Sequence, residues 1–493
     1  MPSNFKSDDS FLRKLVVGAA GVNATIQRLK ELGFNPIELE RGSTGFKIWK
    51  KIKIKRIRVP DIICQNSGLR FESRGKTKLE ISMSHSLNDP KRAWDYGMRD
   101  DDFVSIVAFH QNVDNPVDVQ RISPVHFISI KDMRDSFKKK QFTISKPKGF
   151  EEGSEIRVIW TSAVANQKSQ ANEVTNERIQ MLPLLDSAKK QTIQMQRNKG
   201  VITLVPQVRK DDIVQQNQII ASVVPINLEI PCPETVDENF FIEKLKSVNL
   251  TERYAAAKVL RYKGYSPNAK NELIQRMNDP DEDIYVRLEA AAALAIINES
   301  SAWSFLEGKL NALSMNVPLE TQLETIIVIS EIQNEKSENL LINVLIDKDR
   351  DNELRAGAAW ALGEFSSKKT AGVLVDSFGL VNSDIKIEAA RSLSRMGEEQ
   401  KYYLLSLMKS IPESKRDGIS WVLSRIGNFD PTELTKKNDD NLRKWLSYIL
   451  GYGRSNFNET YINSICKSDP EVYFAASVLW QILDSWINGL TEY

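Results

Sequence analysis

Cysteine and histidine are scarce, at three of each in 493 residues. Cys64, Cys232 and Cys466 lie far apart and none has a CxxC partner. That excludes a disulfide framework and a cysteine-based zinc site, and it fits a reducing cytosol. The histidines have no zinc spacing, and HExxH is absent, which removes zinc hydrolases. Neither GxxxxGK[ST] nor a strand-borne GxGxxG occurs, so no nucleotide cofactor is expected. GxSxG is missing too, against a serine hydrolase of that type. No run reaches the roughly 18 apolar residues of a membrane span. The polar start, Met1 to Ser10, lacks the apolar core of a signal peptide, so the expected location is the cytoplasm, with no membrane partner. Net charge is only +2, so any basic surface must be local.

What is present is a repeat in the second half. Short helical segments recur, each leading from small residues to an anchor aliphatic: Leu260, Leu294, Ile329, Leu362, Leu393, Leu423, Leu450 and Leu479. Successive anchors are 34, 35, 33, 31, 30, 27 and 29 residues apart. A helical period near 30 implies stacked helix pairs in an α-solenoid, a surface for holding something. Arg287 to Leu294 aligns with Arg355 to Leu362 and Lys386 to Leu393. Small residues let helices approach closely. Asn and Asp upstream, as in Asn278 to Asp281 and Asn382 to Asp384, suit N-caps. Gly363, Gly397, Gly427 and Gly451 stand where C-caps belong. Trp421, Trp445, Trp480 and Trp486 crowd the last repeats. They read as core and cap filling, with an aromatic binding face as the sharper alternative. The pattern resembles HEAT-type repeats over about half the chain.

The first 150 residues change period. Ser10 to Gly33 is spaced as an amphipathic helix. Ile37 to Glu40 is a short extended run. Phe46 to Cys64 alternates Ile and Val with Lys and Arg, as a strand does, and Leu69 to Ser82 is a further strand. Pro90 to Asp95 starts a helical stretch, and Phe103 to His110 is a buried-type strand. Asp61 follows Pro60 late in one strand, and Glu72 lies eleven residues on. Alternation puts Glu72, Arg74 and Lys76 on one face. Adjacent strands would bring Asp61 and Glu72 together, and two carboxylates would hold Mg²⁺ or Mn²⁺ through oxygen. A cation there steadies charge on a phosphate or positions an attacking water.

The helix-strand-strand-strand-helix-strand order, with Pro60-Asp61 and then Glu72, resembles the PD-(D/E)xK nuclease superfamily over about 100 residues. The resemblance implies Asp61 and Glu72 as metal ligands. The family's lysine stands two positions after the second acid, where this chain has Arg74, with Lys76 two further on. Lys76 or Arg74 would then stabilise the transition state, although arginine serves poorly as a base. The competing reading makes both acids ion-pair partners of neighbouring Lys and Arg. Lys50, Lys51, Lys53, Lys55, Arg56 and Arg58 form a basic stretch before Asp61, with Lys138, Lys139 and Lys140 as another. Either would contact phosphates in a salt-sensitive way. His85 is a loop histidine near the same strands.

Between these halves, Glu155 to Trp160 and Val201 to Val205 alternate as strands, and Lys210 to Ala221 reads as a polar turn before a short strand. The expected chain is multidomain. It has an N-terminal α/β domain (restriction-endonuclease-like) over 8–150, a small all-β domain and linker over 151–237, and a C-terminal α-solenoid of HEAT-type repeats over 238–488. The expected function is that of a metal-dependent nuclease hydrolysing phosphodiesters of nucleic acid, with a protein or nucleic acid held by the solenoid. Such an architecture suits prokaryotic genome defence. The alternative is a non-catalytic nucleic-acid- or protein-binding scaffold.

Overall fold

The computed structural model describes residues 9–39, 57–112, 118–146, 155–185, 189–263, 266–310, 317–435 and 439–490. The chain falls into two compact units, Met1–Ala293 and Leu294–Tyr493. The divisions expected at 150 and 237 both lie inside the first unit.

Helix α1 (Asp9–Glu31) opens the first unit. The main sheet follows, with strands β1 (Pro36–Glu38), β2 (Ile62–Cys64) and β3 (Arg70–Lys76) paired antiparallel in sequence. After a crossover, β5 (Phe103–Gln111) joins parallel to β3, so that Glu72 stands beside Val104 and Arg74 beside Ile106. Strands β6 (Val119–Arg121) and β7 (His126–Ser129) pair with β5 antiparallel. Antiparallel strands need only turns, whereas the β3–β5 pair requires a crossover.

That crossover differs from the expected helix. The chain first forms β4 (Ile81–Ser86), which leaves for a second sheet with β8 (Thr143–Ser145) and β9 (Glu155–Trp160). Only a single 3₁₀ turn, Pro90–Arg92, follows, capped by the Asp89 side chain. Trp94 is buried and packs against Trp160. Strand β9 was expected to open the middle domain, but it hydrogen-bonds to β4 along its whole length. Local alternation announces a strand and says nothing of its partner.

The two faces of the main sheet carry different chemistry. Phe71 and Phe109 pack with Val17, Val22 and Leu29 of α1. Thr25 of α1 shares hydroxyl hydrogen bonds with Ser73 (3.2 Å) and Ser105 (2.8 Å). The crossing is close: a Cβ on Gly75 would lie 2.0 Å from the Val17 carbonyl, and one on Gly21 would lie 2.6 Å from the Gly75 nitrogen. On the opposite face, Val104, Ile106 and Ala108 pack with Ile81, Met83, Val158 and Trp160 of the second sheet.

Short strands from 162 to 222 enclose their own core, including Ala171, Ile179, Met181, Ile193, Val214 and Ile220. The expected polar turns are present. Asp211 and Asn217 adopt positive φ, and the Asp212 carboxylate accepts the Arg209 N–H at 2.7 Å.

Helix α2 (Leu250–Leu260) packs within the same unit. Arg70, 1% exposed, pairs with Asp102, 0% exposed, at 2.6 Å. It also donates to the Thr251 hydroxyl at 2.9 Å. Lys258 donates to the Leu39 carbonyl at 3.1 Å.

In the second unit, equivalent helices α3 (Ser383–Met396), α4 (Glu413–Ile426), α5 (Asp440–Tyr452) and α6 (Pro470–Leu490) lie side by side in order. The anchors from Leu260 to Leu450 are buried, and Leu479 is half-buried. Gly397 and Gly427 end helices at positive φ, as expected. Gly363 and Gly451 instead mark close approaches: a Cβ on Gly451 would lie 2.8 Å from Leu479. Of the late tryptophans, Trp445 and Trp480 are half-buried and Trp421 is exposed; the side chain of Trp486 lies outside the description. No described helix is long and apolar enough to cross a membrane.

Candidate functional site

Strand alternation carries Glu72, Arg74 and Lys76 onto the face of β3 that looks toward the second sheet. Arg74 confirms the direction, since its Nε lies 3.4 Å from the Met83 sulfur. Its guanidinium forms an ion pair with Glu72, whose side chain is 13% exposed. Lys76 donates to the Ser82 hydroxyl at 3.0 Å and to the Ser82 carbonyl at 3.3 Å. Burial pulls its ammonium down to about 8, and Arg74 and Arg157 push the same way against Glu80. Arg58 donates to the Ala93 carbonyl at 2.8 Å. Burial holds its guanidinium below the ordinary value, opposed by Glu72 and reinforced by Arg74 and Arg92. Glu72, Arg74 and Arg92 therefore all lie near Arg58. Asp95, also close, is bound by Arg134 at 2.7 Å.

Asp61 has a structural task. Its Oδ2 accepts the backbone N–H of Ser73 at 2.7 Å, and its carbonyl accepts the Leu39 N–H at 2.7 Å. The carboxylate thus ties the start of β2 to β3. A divalent cation at this pair would compete with Arg74 for Glu72 and with a main-chain N–H for Asp61. As arranged, the donor set does not fit Mg²⁺ or Mn²⁺, which need several oxygen ligands. Among the described residues, no three His, Cys, Asp or Glu side chains converge to hold a metal.

Of the basic stretch, Arg58 belongs to this face, while Lys50, Lys51, Lys53, Lys55 and Arg56 lie outside the described residues. Lys138, Lys139 and Lys140 are exposed at a helix end. His85, expected in a loop, lies instead in β4; it accepts the Trp94 N–H through Nδ1 at 3.3 Å and packs on Phe137.

Sequence reasoning missed two buried polar positions. Asp102 accepts from Arg70, the Arg99 N–H and the Arg99 side chain. The acidic run Asp100 to Asp102 was visible, but its partner lies 32 residues away. His126 accepts the Ile219 N–H through Nε2 at 3.0 Å, and burial drives its imidazole down to about 4. It is neutral at physiological pH and fastens β7 to the strand at 219–222.

Comparison with known proteins identifies HEAT repeats at residues 310–394 and 338–424. No curated protein matches the chain. Among solved structures, the CpcE–CpcF complex of phycocyanin lyase from Nostoc sp. PCC7120 is 17% identical. That match covers 51% of this chain and 96% of the other, with a TM-score of 0.25. An archaeal HEAT-like repeat protein from Thermococcus onnurineus NA1 is 15% identical, over 46% of this chain and 99% of that one, with a TM-score of 0.23. Human deoxyhypusine hydroxylase is 14% identical, over 44% and 84%, with a TM-score of 0.19. Scores this low carry nothing about activity or ligand. The C-terminal region is a helical solenoid containing HEAT repeats.

Proposed function

We propose that this protein is a HEAT-repeat scaffold that holds nucleic acid on the basic β3 face without cutting it and a protein on its solenoid. One observation carries the reading: Glu72 is ion-paired with Arg74, at the position where the nuclease resemblance calls for lysine. A guanidinium beside that carboxylate neutralises it, and Arg58 adds a further guanidinium near the same carboxylate. Charge distribution supports the division of labour. Residues 1–293 hold 46 Lys and Arg against 37 Asp and Glu, and residues 294–493 hold 21 against 28. A polyanion is attracted to the first set and repelled by the second.

The test uses labelled single- and double-stranded DNA and RNA with Mg²⁺ or Mn²⁺, followed by cleavage and by binding at several salt concentrations. Salt-sensitive binding without cutting, weakened by Arg58→Ala, is the expected result. Metal-dependent cutting that disappears in both Asp61→Ala and Glu72→Ala would replace this reading with the nuclease one. A specific observation favours that second reading. Lys76 shares the face of Glu72, and an ammonium near 8 is suited to stabilising a phosphoryl transition state. Under that reading Lys76→Ala abolishes cutting while binding persists. A place in prokaryotic genome defence would follow from either reading only by analogy of architecture.

A further inference from the structure

We infer that the outer face of the second sheet is a phosphate seat, with Arg157 standing between Ser84 and Ser145, and that it takes the sugar–phosphate backbone of the nucleic acid without reading its bases. The inference rests on the proposal that the neighbouring β3 face holds nucleic acid, and it adds a second anchoring point and a mode of recognition.

Strand pairing brings the three side chains into one row. Strand β9 is the middle strand of its sheet, with β4 on one side and β8 on the other. Arg157 stands opposite Ser84 in β4 and opposite Ser145 in β8. Directly opposed residues share a face, with Cβ atoms about 4.5–5.5 Å apart. Ile81, Met83, Val158 and Trp160 fill the core on the inner face, so alternation turns this row outward. Ser84 is exposed, Ser145 is half-buried, and the Arg157 side chain is 57% exposed.

The donors of the row are unspent. Among the described residues, neither serine hydroxyl has a hydrogen-bond partner. Arg157 makes no side-chain hydrogen bond, and its one ion pair, with Glu80, is long at 3.9 Å. A cross-strand acid would neutralise an arginine at this position. Hydroxyls on both sides do not, but they complete a set of donors suited to phosphate oxygens.

Local charge selects an anion. Lys76 reaches the adjoining edge of β4, where it donates to the Ser82 hydroxyl at 3.0 Å. Arg157 and Arg74 both push its ammonium down, and Glu80 opposes them. Arg74 is already paired with Glu72. Lys78 and Lys146 are exposed beside the face. Glu155 takes the position opposite Ser86 at the strand end. Four cations, Lys76, Lys78, Lys146 and Arg157, therefore stand against Glu80 and Glu155. An anion beside Lys76 and Arg157 relieves their mutual repulsion. No outward position on the three strands is aromatic or a carboxamide, so the face has nothing with which to stack on a base or read its edge.

The test uses the full chain with fluorescein-labelled 20-residue oligothymidine and oligoadenine, read by anisotropy at several salt concentrations. The two should bind within about threefold of each other, as expected of backbone contacts alone. Arg157→Ala should weaken both at least fivefold and lower the magnitude of the salt slope by about one. Ser84→Val with Ser145→Val should weaken both by about threefold to tenfold and leave the slope unchanged, because a hydroxyl releases no counterion. Lys409→Ala is the control for loss of a remote charge. Equal effects of Arg157→Ala and Lys409→Ala would overturn the seat. Wild-type affinity in the double serine variant would reduce the face to general charge attraction and overturn it too. A preference above tenfold for one oligonucleotide that vanishes in Arg157→Ala would show base reading at this face and overturn the backbone mode. Arg58→Ala is read separately: if it weakens binding while Arg157→Ala does not, the β3 reading stands and the seat fails. Absence of oligonucleotide binding by the wild type overturns the β3 reading, and the seat with it.

Discussion

Lys76 sits half-buried on β3 with its ammonium against Ser82, and its position leads to a pH effect of definite sign. Its value of about 8 lies below the ordinary 10.5. Between those two values the unfolded chain binds more protons than the folded one, so the folded state gains stability as pH rises through that window. Below about 8 both states are protonated and the burial cost is fully present. Lys76→Met removes the group, so its stability relative to the wild type should drift in favour of the wild type between pH 8 and 10.5. The size is on the order of 1 kcal/mol once solvent screening at a half-buried site is allowed for. Urea midpoints at pH 7.5, 9 and 10 measure it, and a flat difference would show that the ammonium is not held below its ordinary range. Arg70 offers a harsher case. Arg70→Ala leaves Asp102 charged and fully buried, a loss of about 3–5 kcal/mol, read as a lower urea midpoint. An effect under about 1 kcal/mol would mean that Arg99 alone satisfies Asp102. Both residues could be read from the sequence as charged strand positions. Their roles could not, because Arg70 acts through Asp102 and Thr251, 32 and 181 positions away.

At the scale of elements, the tightest constraint is the crossing of α1 over β3. Gly75 meets the Val17 carbonyl and Gly21 meets Gly75, whereas Gly18, on the same helix, has nothing within 4 Å of a built Cβ. Gly75→Ala should therefore cost more than about 2 kcal/mol, because backbone on both sides must shift. Gly18→Ala should be neutral or stabilising by up to about 1 kcal/mol through helix propensity. Thermal melts of the two variants separate packing from propensity, and equal effects would show that the crossing is not close. The elements themselves were largely legible. The 3- and 4-residue spacing of α1 and the solenoid anchors each report one side facing a core, and burial bears them out from Leu260 to Leu450. The face shared by Glu72, Arg74 and Lys76 followed from alternation alone. What sequence could not show was pairing. Strand β4 leaves the main sheet and takes β9 as a partner some 70 residues later, and nothing in either strand's alternation encodes the other. Where a crossover helix was expected, the chain makes one 3₁₀ turn and then buries Trp94 against Trp160.

Across the whole molecule, a net charge of +2 conceals two opposed halves. Overall balance hid this from the reading of composition, because the excess of nine bases before residue 294 is nearly cancelled by seven surplus acids after it. The consequence is a salt dependence that belongs to one half. Counterions released from a nucleic acid reflect the phosphates neutralised by local Lys and Arg, not the protein's total charge. A plot of log affinity against log salt for the full chain should therefore be steep despite the small net charge. Arg58→Ala should lower the magnitude of its slope by about one. Lys409→Ala removes an exposed charge from the acidic half and should leave the slope unchanged. If the two substitutions flatten the slope equally, the polyanion reads the chain's total charge rather than the β3 face, and the division of labour between the halves is lost. If only Arg58→Ala does so, the basic half holds the nucleic acid, and the acidic solenoid is left for a partner of opposite charge.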